Sequence, residues 1–112
     1  MVTVKFTEDK EAKTISLKVT GHAGQAENGK DIVCASASIL LYTVAQYAMF
    51  AYEKHHLKKK PLVSLGDGDA EVIITPKSDH YGEALHTFFV AQIGYTLLAR
   101  NYPQYVELTS FE

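Results

Sequence analysis

The chain has only one cysteine, Cys34, among its 112 residues. A single thiol cannot form a disulfide within the chain, which excludes the small secreted domains that disulfides hold together. The first residues, MVTVKFTEDKEAKT, lack the basic segment, the apolar run and the small-residue cleavage site of a secretory signal. We therefore expect a cytoplasmic protein.

An excess of charge of either sign is also missing, since the formal net charge is −2 and charged residues make up 21% of the chain. Domains that bind nucleic acid are usually basic, so we expect no direct binding of nucleic acid. The one basic run, KHHLKKK at residues 54–60, is typical of a solvated loop, although a contact with RNA or an acidic surface would give the same pattern.

Metal-ligand spacings and phosphate-binding glycine patterns are absent as well. His55 and His56 are adjacent, so their side chains diverge on either a helix or a strand. Glu83 and His86 lie one helical turn apart, but a carboxylate-bridged metal pair requires a second such set. The GDGD stretch is too short for a calcium loop and indicates a turn. The sequence therefore predicts no metal site and no cofactor.

Short runs of alternating apolar and polar residues predict strands near both ends of the chain. Asp-Gly within PLVSLGDGDAEVIITP predicts a hairpin, and QYVELTS could be a last edge strand. The alternation near the start predicts two strands with these inward residues: Val2, Val4 and Phe6, then Ile15, Leu17 and Val19. We predict one α+β domain over residues 1–112, with the order ββαββα(β) and two long helices packed on an antiparallel or mixed sheet.

The first of these helices contains residues 32–52, which carry no formal charge. Its length and the basic residues after it are compatible with a membrane span. Serine, threonine, glutamine and alanine dilute its hydrophobicity, so we favour a helix buried on two sides, by the sheet and by the second helix or another copy of the chain. We therefore expect a homodimer and no membrane. The second helix is predicted to carry an apolar stripe formed by Leu85, Phe88, Phe89, Gln92, Ile93, Thr96 and Leu97.

The stretch GHAGQAENGKDIVC, residues 21–34, places Gly21, Gly24 and Gly29 close together, which predicts a flexible loop at about residues 21–31. If Asp31 is the N-cap of the first helix, Cys34 lies in its first turn. Unpaired N–H groups and the helix dipole favour a negative charge there, and hence a thiolate.

Cys34 with His22 could be a nucleophile and its base, the arrangement that covalent acyl transfer needs. From the residues alone, a buried structural cysteine and an ordinary loop histidine are the more common explanation of such a pair. Ser38 lies one turn after Cys34, where its hydroxyl could reach the thiolate or a bound peptide. A small residue that allows close helix packing is the alternative.

The same stretch resembles the signature of the ribosomal-processing cysteine protease family, Prp. That signature reads Gly-His-Ala, two residues, Ala, two residues, Gly, one residue, then Asp-Ile-Val-Cys-Ala, and the chain matches every fixed position from Gly21 to Ala35 without a gap. The resemblance implies a homodimeric α+β cysteine protease with Cys34 as nucleophile and His22 as base. It further implies that the substrate is the N-terminal extension of a large-subunit ribosomal protein, cut after a short apolar segment ending in aromatic residues. We expect supporting, oxyanion or loop roles for Gly21, Gly29, Asp31 and Ser38.

Two other readings remain open at this point. A non-catalytic dimeric module for ribosome assembly could bind a partner through the same groove without a reactive thiol. A redox-sensing cysteine would need an exposed thiol but no peptide groove.

Overall fold

The computed structural model describes residues 1–22 and 30–111, without the side chains of residues 30 and 31. The predicted order of elements is confirmed, including the last strand. The elements are β1 Val2–Asp9, β2 Thr14–Thr20, α1 Lys30–Glu53, β3 Leu62–Gly66, β4 Asp69–Ile74, a short 3-10 turn Ser78–His80, α2 Tyr81–Asn101 and β5 Val106–Thr109.

The five strands form one mixed sheet in the order β3-β4-β2-β1-β5. All neighbouring strands are antiparallel except β1 and β5, which are parallel. The alternating residues that predicted the strands point into the core, since Val4, Ile15 and Leu17 are fully buried. The α+β class with a mixed sheet is therefore confirmed.

Helix α1 buries one stripe of residues spaced three or four apart. This stripe consists of Val33, Ala37, Leu41, Val44, Ala45, Ala48 and Ala51. Among the described residues, α1 is also the one helix long and apolar enough to cross a membrane, a test that the core helix of a soluble protein passes too. Its buried residues belong to the main hydrophobic cluster, whereas Ile39, Tyr42 and Phe50 of the same uncharged run are more than half exposed.

The face of α2 that meets the core differs from the predicted stripe. Phe88 and Gln92 are buried as expected, but Phe89, Ile93 and Leu97 are about half exposed. The rest of the buried set is Ala84, Tyr95 and Leu98. The stripe correctly indicated the helix, but α2 is apolar on two faces, so periodicity alone does not show which face is buried. Tyr95 can occupy a core position because its hydroxyl donates to the Ala37 carbonyl at 2.8 Å.

One end of the sheet gathers the segments that the sequence analysis marked for function. Thr20, the last residue of β2, pairs with Asp69, the first residue of β4. The pairing continues past the strand, since the Gly21 N–H donates to the Gly68 carbonyl at 2.9 Å. The β3–β4 turn therefore lies beside the segment that leaves β2.

Candidate active site

An open cleft of about 310 Å³ lies at this end of the sheet, and both His22 and Cys34 line it. Gly21 and Ser38, two of the predicted supporting residues, line it as well. Its other described walls come from β1, β2, α1 and the β3–β4 turn: Val2, Val19, Ala37, Leu41, Tyr42, Leu65, Gly66, Asp67, Gly68, Asp69 and Ala70. The fold thus brings together four residues that the sequence singled out.

His22 is positioned by the N-terminal residue Met1, by the preceding Gly21 and by the β3–β4 turn. Gly21 has φ +89° and lies so close to the Met1 carbonyl that a Cβ at this position would overlap it. The Met1 nitrogen donates to the His22 carbonyl at 2.7 Å. On the other side, a Cβ at Gly68, which has φ +72°, would overlap the His22 imidazole. Two glycines therefore let the chain turn tightly and let the ring pack against backbone.

Cys34 lies on α1 and is partly buried. The helix begins at Lys30, so Asp31 is inside its first turn and is not the residue before it. The proposal that Asp31 is the N-cap is therefore wrong. Cys34 belongs to the second turn, where the regular pattern pairs its N–H with the Lys30 carbonyl, so the unpaired N–H groups belong to earlier residues. The sequence misplaced the boundary because Asp31 is a good capping type and nothing local distinguishes it from a first-turn residue.

Ser38 lies one turn after Cys34 and is also partly buried, as the spacing predicted. Nearby, the Tyr95 hydroxyl holds the Ala37 carbonyl in the cleft wall. Burial raises the pKa of Tyr95 above its usual range, so the hydroxyl keeps its proton and remains a donor. This wall of the cleft is consequently tied to α2.

Asp67 is a cleft residue that the sequence reasoning missed. Its Oδ1 lies 3.9 Å from His22 Nδ1, and its side chain is 99% exposed. It belongs to the GDGD turn, which was assigned only a structural role. The signal that places it here is the pairing of β2 with β4, which brings a distant turn next to His22. At this distance the two side chains make no hydrogen bond.

Two expectations lie outside the described residues. Gly29 and most of the predicted flexible loop fall within residues 23–29, and the Asp31 side chain is not described either. The roles assigned to them stay predictions. Among the described residues, a cluster of three potential metal ligands occurs beyond the far end of α1 and not in this cleft.

Comparison with known proteins decides the family. The model of the family "Cysteine protease Prp" matches residues 1–107. The chain belongs to this family. The signature at residues 21–35 had already indicated it, and the family model extends the match over nearly the whole chain.

Individual relatives agree with this assignment. The curated ribosomal processing cysteine protease Prp of Staphylococcus aureus is 45% identical over 42 residues, which cover 38% of this chain and 40% of that protein. The chain thus aligns with less than half the length of this curated relative.

A crystal structure of an essential ribosomal processing protease Prp from S. aureus, in complex with a substrate peptide, is 22% identical with a TM-score of 0.70, and the match covers 98% of this chain and 99% of that one. A crystal structure of a protein from Streptococcus mutans is 26% identical with a TM-score of 0.64, covering 100% of this chain and 96% of that one. The Prp fold therefore extends over the whole described domain.

Proposed function

We propose that this chain is a cysteine endopeptidase that removes the N-terminal extension of a large-subunit ribosomal protein. The observation that carries the proposal is that His22, which follows β2, and Cys34, on α1, line one open cleft in a domain of the Prp family. Cys34 acts as the nucleophile and His22 as the general base and acid.

The chemistry follows from these two groups. His22 accepts the Cys34 proton, and the thiolate sulfur attacks the scissile carbonyl carbon to form a tetrahedral oxyanion. The C–N bond then breaks, the imidazolium protonates the leaving amine, and an acyl thioester remains on Cys34. His22 next takes a proton from water, whose oxygen attacks the thioester and releases the carboxylate product and the free thiol. The N–H groups of the first residues of α1 are the donors we assign to the oxyanion, in place of the Cys34 N–H.

The cleft supports a peptide substrate with apolar residues near the cut. Its described walls include aliphatic side chains beside polar ones, and two of the apolar lining residues, Tyr42 and Leu65, are each about half exposed. An aromatic substrate side chain would bury these surfaces and gain binding energy in proportion to the apolar area removed from water. The loop at about residues 21–31 closes over the bound peptide in this proposal.

We further propose that the protein acts as a homodimer in the cytoplasm, where a ribosomal protein is made. A groove of about 570 Å³ runs between α1 and α2, and two of its lining residues, Ile39 and Leu97, are 62% and 50% exposed. An apolar helix–helix groove of this kind suits a second copy of the same chain, which would cover the faces of both helices at once.

The test compares cleavage by the parent and by Cys34→Ala, using the extended ribosomal protein from the same cell and reading product mass. We expect one shortened product with the parent and none with Cys34→Ala, Cys34→Ser or His22→Ala, while Cys34→Ala still binds the substrate. Ser16→Ala, at a partly buried serine on β2 outside both the cleft and the groove, is the matched control and should cleave normally. If the Cys34→Ala chain supported ribosome assembly as well as the parent, the non-catalytic binding module would be the better account. If peroxide modified Cys34 and no peptide were cut, a redox sensor would be favoured.

A further inference from the structure

Three potential metal ligands come together beyond the C-terminal end of α1, well away from the cleft. His56 lies in the α1–β3 connection, His80 ends the 3-10 turn, and Glu83 lies in the first turn of α2. The part of α1 between Cys34 and Glu53 alone measures about 28 Å at the usual helical rise. These side chains therefore belong to a site separate from the proposed active site.

The backbone holds the segments that carry these histidines in fixed positions. The His56 N–H donates to the Ala51 carbonyl of α1, and the His56 carbonyl accepts from the Lys77 N–H, both at 2.9 Å. The His80 N–H in turn donates to the Lys77 carbonyl at 3.0 Å. The two histidines are thus linked through Lys77, and their side chains are only 23% and 29% exposed. Little conformational freedom remains to be lost on binding a ligand.

The distances between the donor atoms are close to those of a metal site. His80 Nδ1 lies 3.6 Å from Glu83 Oε2, His56 Nδ1 lies 3.8 Å from Glu83 Oε1, and one ligand atom from each residue falls within 4.8 Å of the others. Two ligands of a tetrahedral zinc ion, each about 2.1 Å from the metal, are roughly 3.4 Å apart. The two carboxylate–imidazole distances exceed that spacing by only a few tenths of an ångström.

The imidazoles are stacked, with ring centroids 3.6 Å apart and an interplanar angle of 12°. Lone pairs lie in the ring planes, so stacked rings do not direct them to one point. Rotation of one ring about its Cβ–Cγ bond corrects this, and that torsion is broad for histidine. Binding therefore needs a rotation of at least one imidazole.

We propose that His56, His80 and Glu83 bind a divalent transition metal ion. Two imidazoles and a carboxylate are a ligand set that zinc favours, with water at the fourth position, whereas magnesium and calcium prefer oxygen ligands alone. The Asp79 Oδ2 lies 3.8 Å from His80 Nε2, so a small approach of the carboxylate would let it accept a hydrogen bond from that nitrogen and orient the ligating ring. The bound ion would join the end of α1 to the start of α2.

The experiment titrates the full-length chain with Zn²⁺ by calorimetry and follows thermal unfolding in parallel. The titration uses Cys34→Ala as the background, because a thiolate near a histidine is itself a zinc ligand. His80→Asn and Glu83→Gln each remove one ligand, and asparagine also suits the position that precedes α2. His86→Asn is the matched control, since this exposed histidine lies one turn beyond Glu83 and outside the cluster. Circular dichroism checks that each variant is folded.

We expect one zinc ion per chain, a higher unfolding temperature with zinc, and affinity at least about tenfold weaker in His80→Asn and in Glu83→Gln than in His86→Asn. If Co²⁺ replaces zinc, the visible absorption spectrum should be that of a four-coordinate cobalt ion with nitrogen and oxygen ligands, which would support the proposed site. The proposal is overturned if Zn²⁺ gives no saturable binding, or if both site variants bind as tightly as the control. Because the readout is binding in a background without the thiol, its failure leaves the proposed protease function untouched.

Discussion

The His22 imidazole packs directly against the backbone of Gly68, where a Cβ would overlap the ring. This contact joins the segment after β2 to the β3–β4 turn and sets how the proposed base faces the cleft. A hydrogen bond between the Gly21 N–H and the Gly68 carbonyl holds the two segments together. The orientation of His22 thus depends on a turn that lies 46 residues further along the chain.

We expect Gly68→Ala to lower kcat/KM for peptide cleavage by at least about tenfold, because displacing a positioned catalytic group by about 1 Å is costly. Gly68→Asn is the matched variant, since asparagine tolerates positive φ but still carries a Cβ. If displacement of His22 is the cause, both variants lose activity. Recovery of activity in Gly68→Asn would instead assign the effect to backbone strain.

Replacing the neighbouring Asp67 is expected to have a small effect. Its carboxylate is nearly fully exposed and lies 3.9 Å from the imidazole, and exposed ion pairs contribute about 0–1 kcal/mol. Asp67→Asn should therefore lower kcat/KM by no more than about fivefold, and the difference should shrink as salt is raised. A loss of a hundredfold would mean that substrate binding draws Asp67 into a hydrogen bond with His22.

The contrast between these two residues shows what local sequence can predict. Alternation predicted the strands, and the signature placed His22 and Cys34, because both kinds of signal lie within short segments. Asp67 and Gly68 join the site only through the pairing of Thr20 with Asp69, a contact between distant segments that no local pattern reveals. The same reason hid His80, which lies 24 residues after His56.

Helix faces were the other weak point of the sequence analysis. Both faces of α2 are apolar, so the sequence did not show which face packs on the core. The buried face contains Tyr95, whose hydroxyl is satisfied by a hydrogen bond to the Ala37 carbonyl that the sequence does not reveal. The start of α1 was also misplaced, because Asp31 was taken as the N-cap although the helix begins at Lys30. Periodicity therefore predicts that a helix exists more reliably than it predicts its boundary or its buried side.

Tyr95→Phe should destabilise the fold while leaving the proposed catalytic groups in place. The residue is fully buried, and the change removes its hydrogen bond to Ala37 without removing the ring. We expect the free energy of unfolding in urea to fall by about 1–2 kcal/mol. Tyr42→Phe, at an exposed position on α1, is the control and should change stability little. Equal stability of the two variants would show that the buried hydroxyl contributes nothing.

The proposed dimer predicts that a charge in the groove between α1 and α2 separates the protomers. Ile39→Glu and Leu97→Glu should each shift the mass measured by light scattering from dimer to monomer, because two carboxylates would be buried at a symmetric apolar contact. Thr7→Glu, exposed on β1, adds the same charge elsewhere and should leave the mass unchanged. A parent that is monomeric at micromolar concentration, or a dimer that survives both groove variants, would contradict this interface.

Stability above pH 10 should depend on Tyr81. Burial, together with its hydrogen bond to the Glu8 carboxylate at 2.8 Å and the charges of Glu8 and Asp9, raises the pKa of Tyr81 to about 12. Below pH 10 the phenol is neutral in both the folded and the unfolded chain, so its contribution is fully present. Between about pH 10 and 12 the unfolded chain loses the proton first, so the free energy of unfolding falls as the pH rises.

Urea unfolding at several pH values from 8 to 12 measures this dependence, as the difference between the parent and Tyr81→Phe, since other buried tyrosines titrate in both proteins. The stability advantage of the parent should be constant up to about pH 10 and then decline. Glu8→Gln keeps an oxygen acceptor and removes the charge, so it should weaken the decline without abolishing it. If the difference in free energy of unfolding between the parent and Tyr81→Phe stayed constant up to pH 12, the Tyr81–Glu8 contact would not be holding the phenol neutral in the folded protein.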